Sequence, residues 1–172
     1  NWEKFAQGPP LEEEEPTVEQ LTALEHRVVT LGGSPYADFS VFTPYNRRVS
    51  RANKFVAHLP QADGSWLSKE IPGPQNFQVW GYCWNTFRCC AIMLGILKEA
   101  ALMAYFRTVS GLVGEWPDCW SLIYLAEDKG RAEILPRKRR AFEASIAAGA
   151  NPPPLWDAAS QFWDALGRRV PM

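Results

Sequence analysis

Apolar residues recur at steps of three and four from residue 74 to residue 117, where the chain has its most regular pattern. The positions are Trp80, Cys83/Trp84, Phe87, Cys90/Ala91, Leu94, Leu97, Ala101, Leu102, Tyr105, Val109, Leu112 and Trp116. This period is typical of helices with one buried face. Because Gly95 and Gly111 each cost a helix interior up to about 1 kcal/mol, we expect a bend or break between them. The stretch predicts two helices built for packing.

An earlier helix is predicted to begin at Thr17. Thr17-Val-Glu-Gln20 has the spacing of a capping box, in which the threonine hydroxyl and the glutamine side chain cap each other's backbone. Four apolar residues follow at three- and four-residue steps, and Gly32-Gly33 then ends the helix. These apolar residues are Leu21, Leu24, Val28 and Leu31.

Two prolines and a glycine predict where the later helices begin and end. Pro117 suits the first turn of a helix that is predicted to run to about Leu135, where Pro136 kinks or ends it. A basic and then alanine-rich helix is expected to continue from Arg137 to Ala148, with Gly149 as its stop.

Between the first helix and the core stretch, the period changes to that of strands. Residues 36–42 mix aromatic and β-branched side chains, which predicts a short strand or an extended packing segment. Residues 55–71 read as a β-hairpin, because Asp63-Gly64 supplies the positive-φ position of its turn.

The predicted fold is mainly α (α+β): a helical bundle with one small inserted hairpin and extended N- and C-terminal arms. The length of 172 residues fits one domain. We expect an acidic extended arm over 1–16, a single helical domain over 17–149, and a proline-rich linker with a short amphipathic helix over 150–172. The chain begins at Asn1 without an initiator methionine or a charged-then-apolar leader, which is typical of a processed or excised piece.

Charge is distributed unevenly, although the formal net charge is only −1. Residues 1–46 carry eight acids and two bases, whereas residues 47–140 carry fourteen bases and eight acids. An acidic arm before a basic body predicts either an internal electrostatic clasp or a polyanion-binding body with a competing acidic tail.

Eight tryptophans are many for this length, and several lie in the predicted tails. Large rings in such segments usually dock on the domain itself or on a partner. The candidate partner-binding residues are Trp2, Phe5, Trp156, Phe162 and Trp163.

Basic clusters offer an alternative, because lysine and arginine gain affinity for phosphates by releasing counterions. The candidate nucleic-acid-binding residues are Arg47, Arg48, Arg51, Lys54, Arg137, Lys138, Arg139 and Arg140. The opposing interpretation is that residues 137–140 form only a solvated helix end.

Residues suited to catalysis are sparse. The four cysteines lack a Cys-x-x-Cys spacing and only two histidines are present, so we expect no metal and no cofactor. A Cys83–His58 pair is formally possible, but Cys83 falls on the most apolar helix face. The adjacent Glu127 and Asp128 are interpreted as a solvated face. The sequence therefore predicts that the protein is not an enzyme.

The sequence also bears on the cellular compartment of the protein. The most apolar stretch is about nine residues, too short for a transmembrane helix of roughly twenty. Free thiols on an apolar helix and the absence of a glycosylation sequon favour an intracellular protein, cytoplasmic or organellar, that is not secreted.

Several distinctive strings together resemble a mostly helical domain that recurs in retroelement-type polyproteins of dinoflagellate algae. The strings lie at residues 36–45, 51–55, 63–77, 116–120, 127–133 and 151–157, and the resemblance spans roughly residues 17–158. It implies a Gag-like or host-adopted module that acts by assembly or by binding nucleic acid. The family provides no catalytic residues to carry over.

Two functions follow as expectations. The first is a non-enzymatic interaction protein, an accessory or assembly subunit of a larger complex, anchored through its aromatic tails. The lineage implied by the resemblance would also allow a photosynthetic complex of the chloroplast, with peripheral membrane association. The alternative is a Gag-like nucleic-acid-binding module.

Overall fold

The computed structural model describes residues 10–44 and 53–150 of the chain. Within these ranges the protein is mostly helical, with a single two-stranded antiparallel hairpin, which confirms the predicted fold class. The elements are α1 (Val18–Glu25), β1 (Lys54–Pro60), β2 (Trp66–Pro72), α2 (Phe77–Met93), α3 (Glu99–Glu115), α4 (Trp120–Lys129) and α5 (Leu135–Ala147).

The predicted capping box begins α1. The Gln20 N–H donates to Thr17 Oγ1 at 3.3 Å, and the Thr17 N–H donates to Gln20 Oε1 at 3.0 Å. Leu24 lies in the core, but Leu31 is exposed, so its predicted place on the buried face is wrong. The reason is a turn of π-helix over His26–Thr30, which rotates the end of the helix away from the apolar stripe.

The long apolar stretch is broken at Gly95. This glycine has a φ of 69°, and the Ile96 N–H donates to the Ala91 carbonyl at 2.9 Å, a hydrogen bond that closes the C-terminal turn of α2. Gly111 lies within α3. The expected break between the two glycines is therefore observed, and it produces two helices that fold back on each other.

A stack of aromatic rings holds α2 against α3. Trp80 and Trp84 are parallel within 9° with centroids 5.3 Å apart, and Trp84 stacks on Tyr105 of α3 at 4.7 Å. The ring of Phe39 lies 6.1 Å from Trp80 and 6.1 Å from Phe87. Offset and edge contacts of this kind add to the free energy of area burial. Phe39 belongs to residues 36–42, where the predicted strand is not observed: the segment is irregular, and the Phe42 N–H donates to the Asp38 carbonyl at 2.8 Å in a turn over residues 39–41.

The hairpin matches its prediction closely. Its register runs from Lys54 opposite Pro72 to Pro60 opposite Trp66, and Gly64 in the connecting loop has a φ of 83°. Phe55 packs edge-on against Tyr124 of α4 at 5.9 Å. The residues buried in the strands are Ala57 and Ile71. The hairpin is thus attached to the body along β1, through Phe55, Ala57 and Leu59, while residues 66–70 of β2 are exposed.

Part of the acidic arm is tied to the body by charge. Glu12–Glu14 forms one turn of 3-10 helix, and Asn85 Nδ2 donates to Glu14 Oε1 at 2.8 Å. Arg88 lies 3.8 Å from Glu14 and 2.7 Å from Glu99, so one guanidinium joins the arm, α2 and α3. These contacts favour the internal clasp for residues 10–16. Residues 1–9 lie outside the described residues.

Two glycines give a matched stability test. Gly73 has a φ of 138°, and a Cβ there would overlap the Tyr124 ring, whereas a Cβ at Gly111 would meet nothing within 4 Å. We expect Gly73→Ala to lower the free energy of unfolding by about 2 kcal/mol or more. Gly111→Ala should raise it by up to about 1 kcal/mol. Urea unfolding measures both, and equal effects of the two substitutions would contradict the close approach.

Candidate functional site

A wide helical turn joins α4 to α5. Over Gly130–Ile134 the backbone takes the π-helical form, and the Leu135 N–H donates to the Gly130 carbonyl five residues back. Pro136 follows in the first turn of α5, where its missing N–H costs little. The chain therefore stays helical through Pro136, and the expected kink is replaced by this bulge. Such bulges often occur at functional sites.

The bulge directs Arg131 into the protein interior. Its side chain is only 2% exposed, and that of Glu127 is 1% exposed. Arg131 Nε lies 2.5 Å from Glu127 Oε1 and Nη2 lies 3.0 Å from Oε2, a bidentate pair. Arg131 Nη1 donates to the Ala37 carbonyl at 2.6 Å, and the guanidinium lies 3.9 Å from the centroid of the Phe39 ring. Every face of this cation is thus in contact with the protein.

Neighbouring side chains extend the network. The Tyr105 hydroxyl donates to Glu127 Oε1 at 2.8 Å, and the Tyr36 hydroxyl donates to Asp128 Oδ1 at 3.1 Å. Asp128 Oδ1 also lies 3.4 Å from Arg131 Nη2. The pair and its neighbours therefore connect α3, α4 and the irregular segment around Ala37.

Burial governs the protonation of this network. It raises the pKa of Tyr36 to about 12, raises the pKa of Tyr105 well above its usual range, and raises the pKa of Asp128. Burial alone would lower the pKa of Arg131, but the adjacent Glu127 carboxylate outweighs it, and the guanidinium stays protonated. Because both carboxylate oxygens of Glu127 are engaged, the pair holds its charges in place.

The interpretation of Glu127 and Asp128 as a solvated face is wrong for Glu127. It fails because Arg131 lies four residues after Glu127 and the two side chains pair inside the core, whereas a third of the Asp128 side chain is exposed. That spacing was the one signal in the sequence that could have revealed the pair.

The thiols are placed for packing. Burial raises the pKa of Cys83 to about 12, of Cys89 to about 11 and of Cys90 to about 12. Cys83 Sγ donates to the Phe39 carbonyl at 3.7 Å, whereas His58 Nδ1 contacts Ser68 Oγ at 3.0 Å on the exposed hairpin. The two members of the conceivable Cys83–His58 pair thus have different partners. Within residues 10–44 and 53–150, no group of three or more metal-ligating side chains is found.

Several predicted site residues lie outside the described ranges. They are the tail aromatics Trp2, Phe5, Trp156, Phe162 and Trp163, together with the loop arginines Arg47, Arg48 and Arg51.

The structure divides the remaining basic candidates between two elements. Lys54 on β1 pairs with Glu70 at 3.0 Å. On α5, Arg139 binds Glu143 at 2.8 Å and the Gly33 carbonyl at 2.5 Å, so it packs α5 against the end of α1. Arg137 and Arg140 are exposed three residues apart on one face of α5, and Lys138 is half-buried. Within the basic run, Arg139 therefore makes packing contacts inside the protein, whereas Arg137 and Arg140 are exposed to solvent.

An exposed apolar surface on the hairpin was missed by the sequence interpretation. Trp66 is 64% exposed, Val56 57% and Leu67 48%. Because side chains alternate along a strand, Trp66 and Val56 share one face of the hairpin, and Leu67 lies on the other. Isolated exposed apolar residues are ordinary, but a tryptophan with 64% of its surface exposed on a two-stranded ribbon is typical of contact surfaces. Val56, four register positions away on the same face, and Leu67 on the other face add to the exposed apolar area. We call Val56, Trp66 and Leu67 the hairpin surface.

No helix in the described part of the chain has the length and apolar character needed to cross a membrane. Comparison of the chain with protein-family models, with curated proteins and with solved structures finds no match.

The buried ion pair gives a stability prediction. Arg131→Met should lower the free energy of unfolding by about 3–5 kcal/mol, because Glu127 then loses its cationic partner in the core. The double variant Arg131→Met/Glu127→Leu should recover much of that loss. Urea unfolding of the two single variants and the double variant measures the coupling. Additive losses would contradict the pair.

The thiols give a reactivity prediction. In the folded protein at pH 8, the buried Cys83, Cys89 and Cys90 should react at least about a hundredfold more slowly with an aromatic disulfide reagent than in denaturant. Half-buried Cys119 should react first. Rapid modification of Cys83 in the folded protein would contradict its role as a packing residue.

Proposed function

We propose that this protein is a non-enzymatic interaction protein that works as a subunit of a larger assembly. The observation that carries the proposal is the hairpin surface, where Val56, Trp66 and Leu67 are exposed on a ribbon whose outer strand is exposed from Trp66 to Glu70. Tryptophan at the centre of a contact buries a large area at low cost in side-chain entropy.

The interior supports the same function. Arg131 and Glu127 form a bidentate ion pair that is almost wholly buried. The thiols of Cys83, Cys89 and Cys90 are buried, and burial raises their pKa values. A cleft with an activated nucleophile or a poised acid and base is what an enzyme would need. A closely packed interior of this kind suits a protein that presents surfaces to partners.

The tail aromatics remain the predicted second set of anchors. Trp2 and Phe5 precede the part of the arm that Glu14 ties to α2, and Trp156, Phe162 and Trp163 follow α5. Anchors at both ends and on the hairpin would let one chain contact several neighbours in an assembly.

Co-purification tests the hairpin surface. The tagged protein, purified under mild conditions from cells that make it naturally, should retain specific proteins, and Val56→Thr/Trp66→Thr should reduce their recovery at least about tenfold. Ile146→Thr is the matched control, because Ile146 is also exposed but lies on α5. The melting temperatures should stay similar, since surface changes cost little. Unchanged recovery with the double variant, or no recovered protein at all, would overturn the proposal.

A second candidate function, nucleic-acid binding, rests on the two exposed guanidiniums of Arg137 and Arg140 on one face of α5. Retention on heparin or RNA should then fall steeply between about 50 and 200 mM salt. Arg137→Gln/Arg140→Gln should weaken retention, whereas Lys54→Gln, whose ammonium is already paired with Glu70, should change it less. Retention that does not depend on salt or on these arginines would remove this candidate.

A further inference from the structure

The hydrogen-bond ladder of the hairpin fixes which backbone groups point outward. At one end the Gln61 N–H donates to the Ser65 carbonyl, and at the other the Gly73 N–H donates to the Asn53 carbonyl, both at 2.8 Å. In antiparallel pairs, bonded and non-bonded positions alternate. Every second residue of β2 therefore turns its N–H and C=O away from β1. These residues are Trp66, Ser68 and Glu70.

These outward backbone groups form an open edge. Within the described residues, no hydrogen bond satisfies the backbone groups of Trp66, Ser68 or Glu70. β1 contacts α4 through Phe55, whereas residues 66–70 are all exposed, so β2 is the outer strand. An unpaired edge is a template for another strand, and a two-stranded ribbon is only marginally stable in water.

Natural proteins usually block such an edge with an internal proline, a bulge or a run of like charge. The ladder of β2 is regular from residue 66 to residue 72, and its one proline is the last residue. Its edge charges, Lys69 and Glu70, have opposite signs. They therefore select a pairing register and do not forbid pairing.

We propose that β2 pairs antiparallel with β2 of a second copy of this chain, about a twofold axis at Ser68, to form a four-stranded sheet. This inference rests on the proposed assembly function and names one partner for the hairpin surface. Ser68 would lie opposite Ser68 of the second copy, Trp66 opposite Glu70 of the second copy, and Leu67 opposite Lys69 of the second copy. Each apolar side chain then packs along the aliphatic stem of a charged one.

The other symmetric registers are less favourable. Centring the axis on Lys69 would place two ammonium groups directly opposite each other, which destabilises antiparallel pairs. Centring it on Leu67 would leave the outward backbone groups of Glu70 beyond the strand of the second copy. The register at Ser68 alone pairs the outward groups of all three residues without opposing like charges.

The contact is small, because it consists of one strand from each copy with its adjoining side chains. Specific interfaces usually bury about 1,600 Å², and smaller ones are commonly transient. The dimer should therefore be weak and dependent on concentration, which suits a lateral contact inside a larger assembly.

Sedimentation equilibrium of the full chain tests the pairing. The weight-average mass should rise with concentration from 19.4 kDa toward twice that value. Ser68→Pro removes an outward N–H and should lower the association constant at least about tenfold. Ser68→Thr is the matched control, because it keeps that N–H and favours strands, and it should associate like the parent chain.

Two further measurements keep the test decisive. Amide exchange should show that Leu67 and Lys69, which bond inward to β1, stay protected in Ser68→Pro. In a Cys119→Ser background, Ser68→Cys should form a disulfide dimer on mild oxidation, because facing residues of a bonded pair have Cα atoms about 5.5 Å apart. Lys69→Cys should cross-link far more slowly, since its counterpart would lie two residues out of register.

The inference is overturned if the parent chain keeps a single-chain mass at all concentrations, or if Ser68→Pro associates equally while Leu67 and Lys69 stay protected. It is also overturned if Lys69→Cys cross-links as fast as Ser68→Cys. If Leu67 and Lys69 lose their protection from amide exchange in Ser68→Pro, the comparison of Ser68→Cys with Lys69→Cys cross-linking tests the inference instead. In each failure the proposed function still stands when other proteins co-purify with the parent chain, and it fails separately when none does.

Discussion

The architecture depends on one buried ion pair. Arg131 and Glu127 form a bidentate contact inside the core, and the same guanidinium reaches the Ala37 carbonyl and the face of the Phe39 ring. A buried charge is tolerated only when it is paired and its remaining hydrogen-bonding groups are satisfied. The pair therefore specifies how α4, α3 and the irregular segment around Ala37 meet. Displacing any of them would leave a charged group without its partner in a low-dielectric interior.

The aromatic stack and the hairpin are arranged around that constraint. Phe39 presents one surface to Arg131 and lies beside the stacked rings of Trp80 and Trp84, so the polar and apolar parts of the core share a side chain. Tyr124 of α4 supports Phe55 at the base of the hairpin. A rigid interior thus carries a ribbon whose outer strand is exposed, which is the arrangement behind the proposed interaction function.

Local sequence was informative wherever a structure is stabilised by nearby residues. The capping box at Thr17, the helix end at Gly95 and the hairpin turn at Gly64 depend on contacts within a few positions, and each was predictable. The burial of Glu127 was not predictable from local sequence. It depends on the π-bulge that follows α4 and on the Ala37 carbonyl, which binds Arg131 from about ninety residues earlier in the chain. The exposure of Trp66 was also hidden, since composition favours burying a tryptophan.

The sequence by itself determined the helical class, the start of α1 after Thr17, the break at Gly95 and the hairpin with its turn at Gly64, because periodicity, capping and turn geometry are local. Only the tertiary structure decided which charges are buried and which apolar side chains stay outside. Arg131 entered the core because the wide turn at residues 130–134 rotated it inward, and Trp66 stayed exposed because the body packs against β1 and leaves residues 66–70 of β2 exposed. Both outcomes depend on how separate elements pack, which no local pattern encodes.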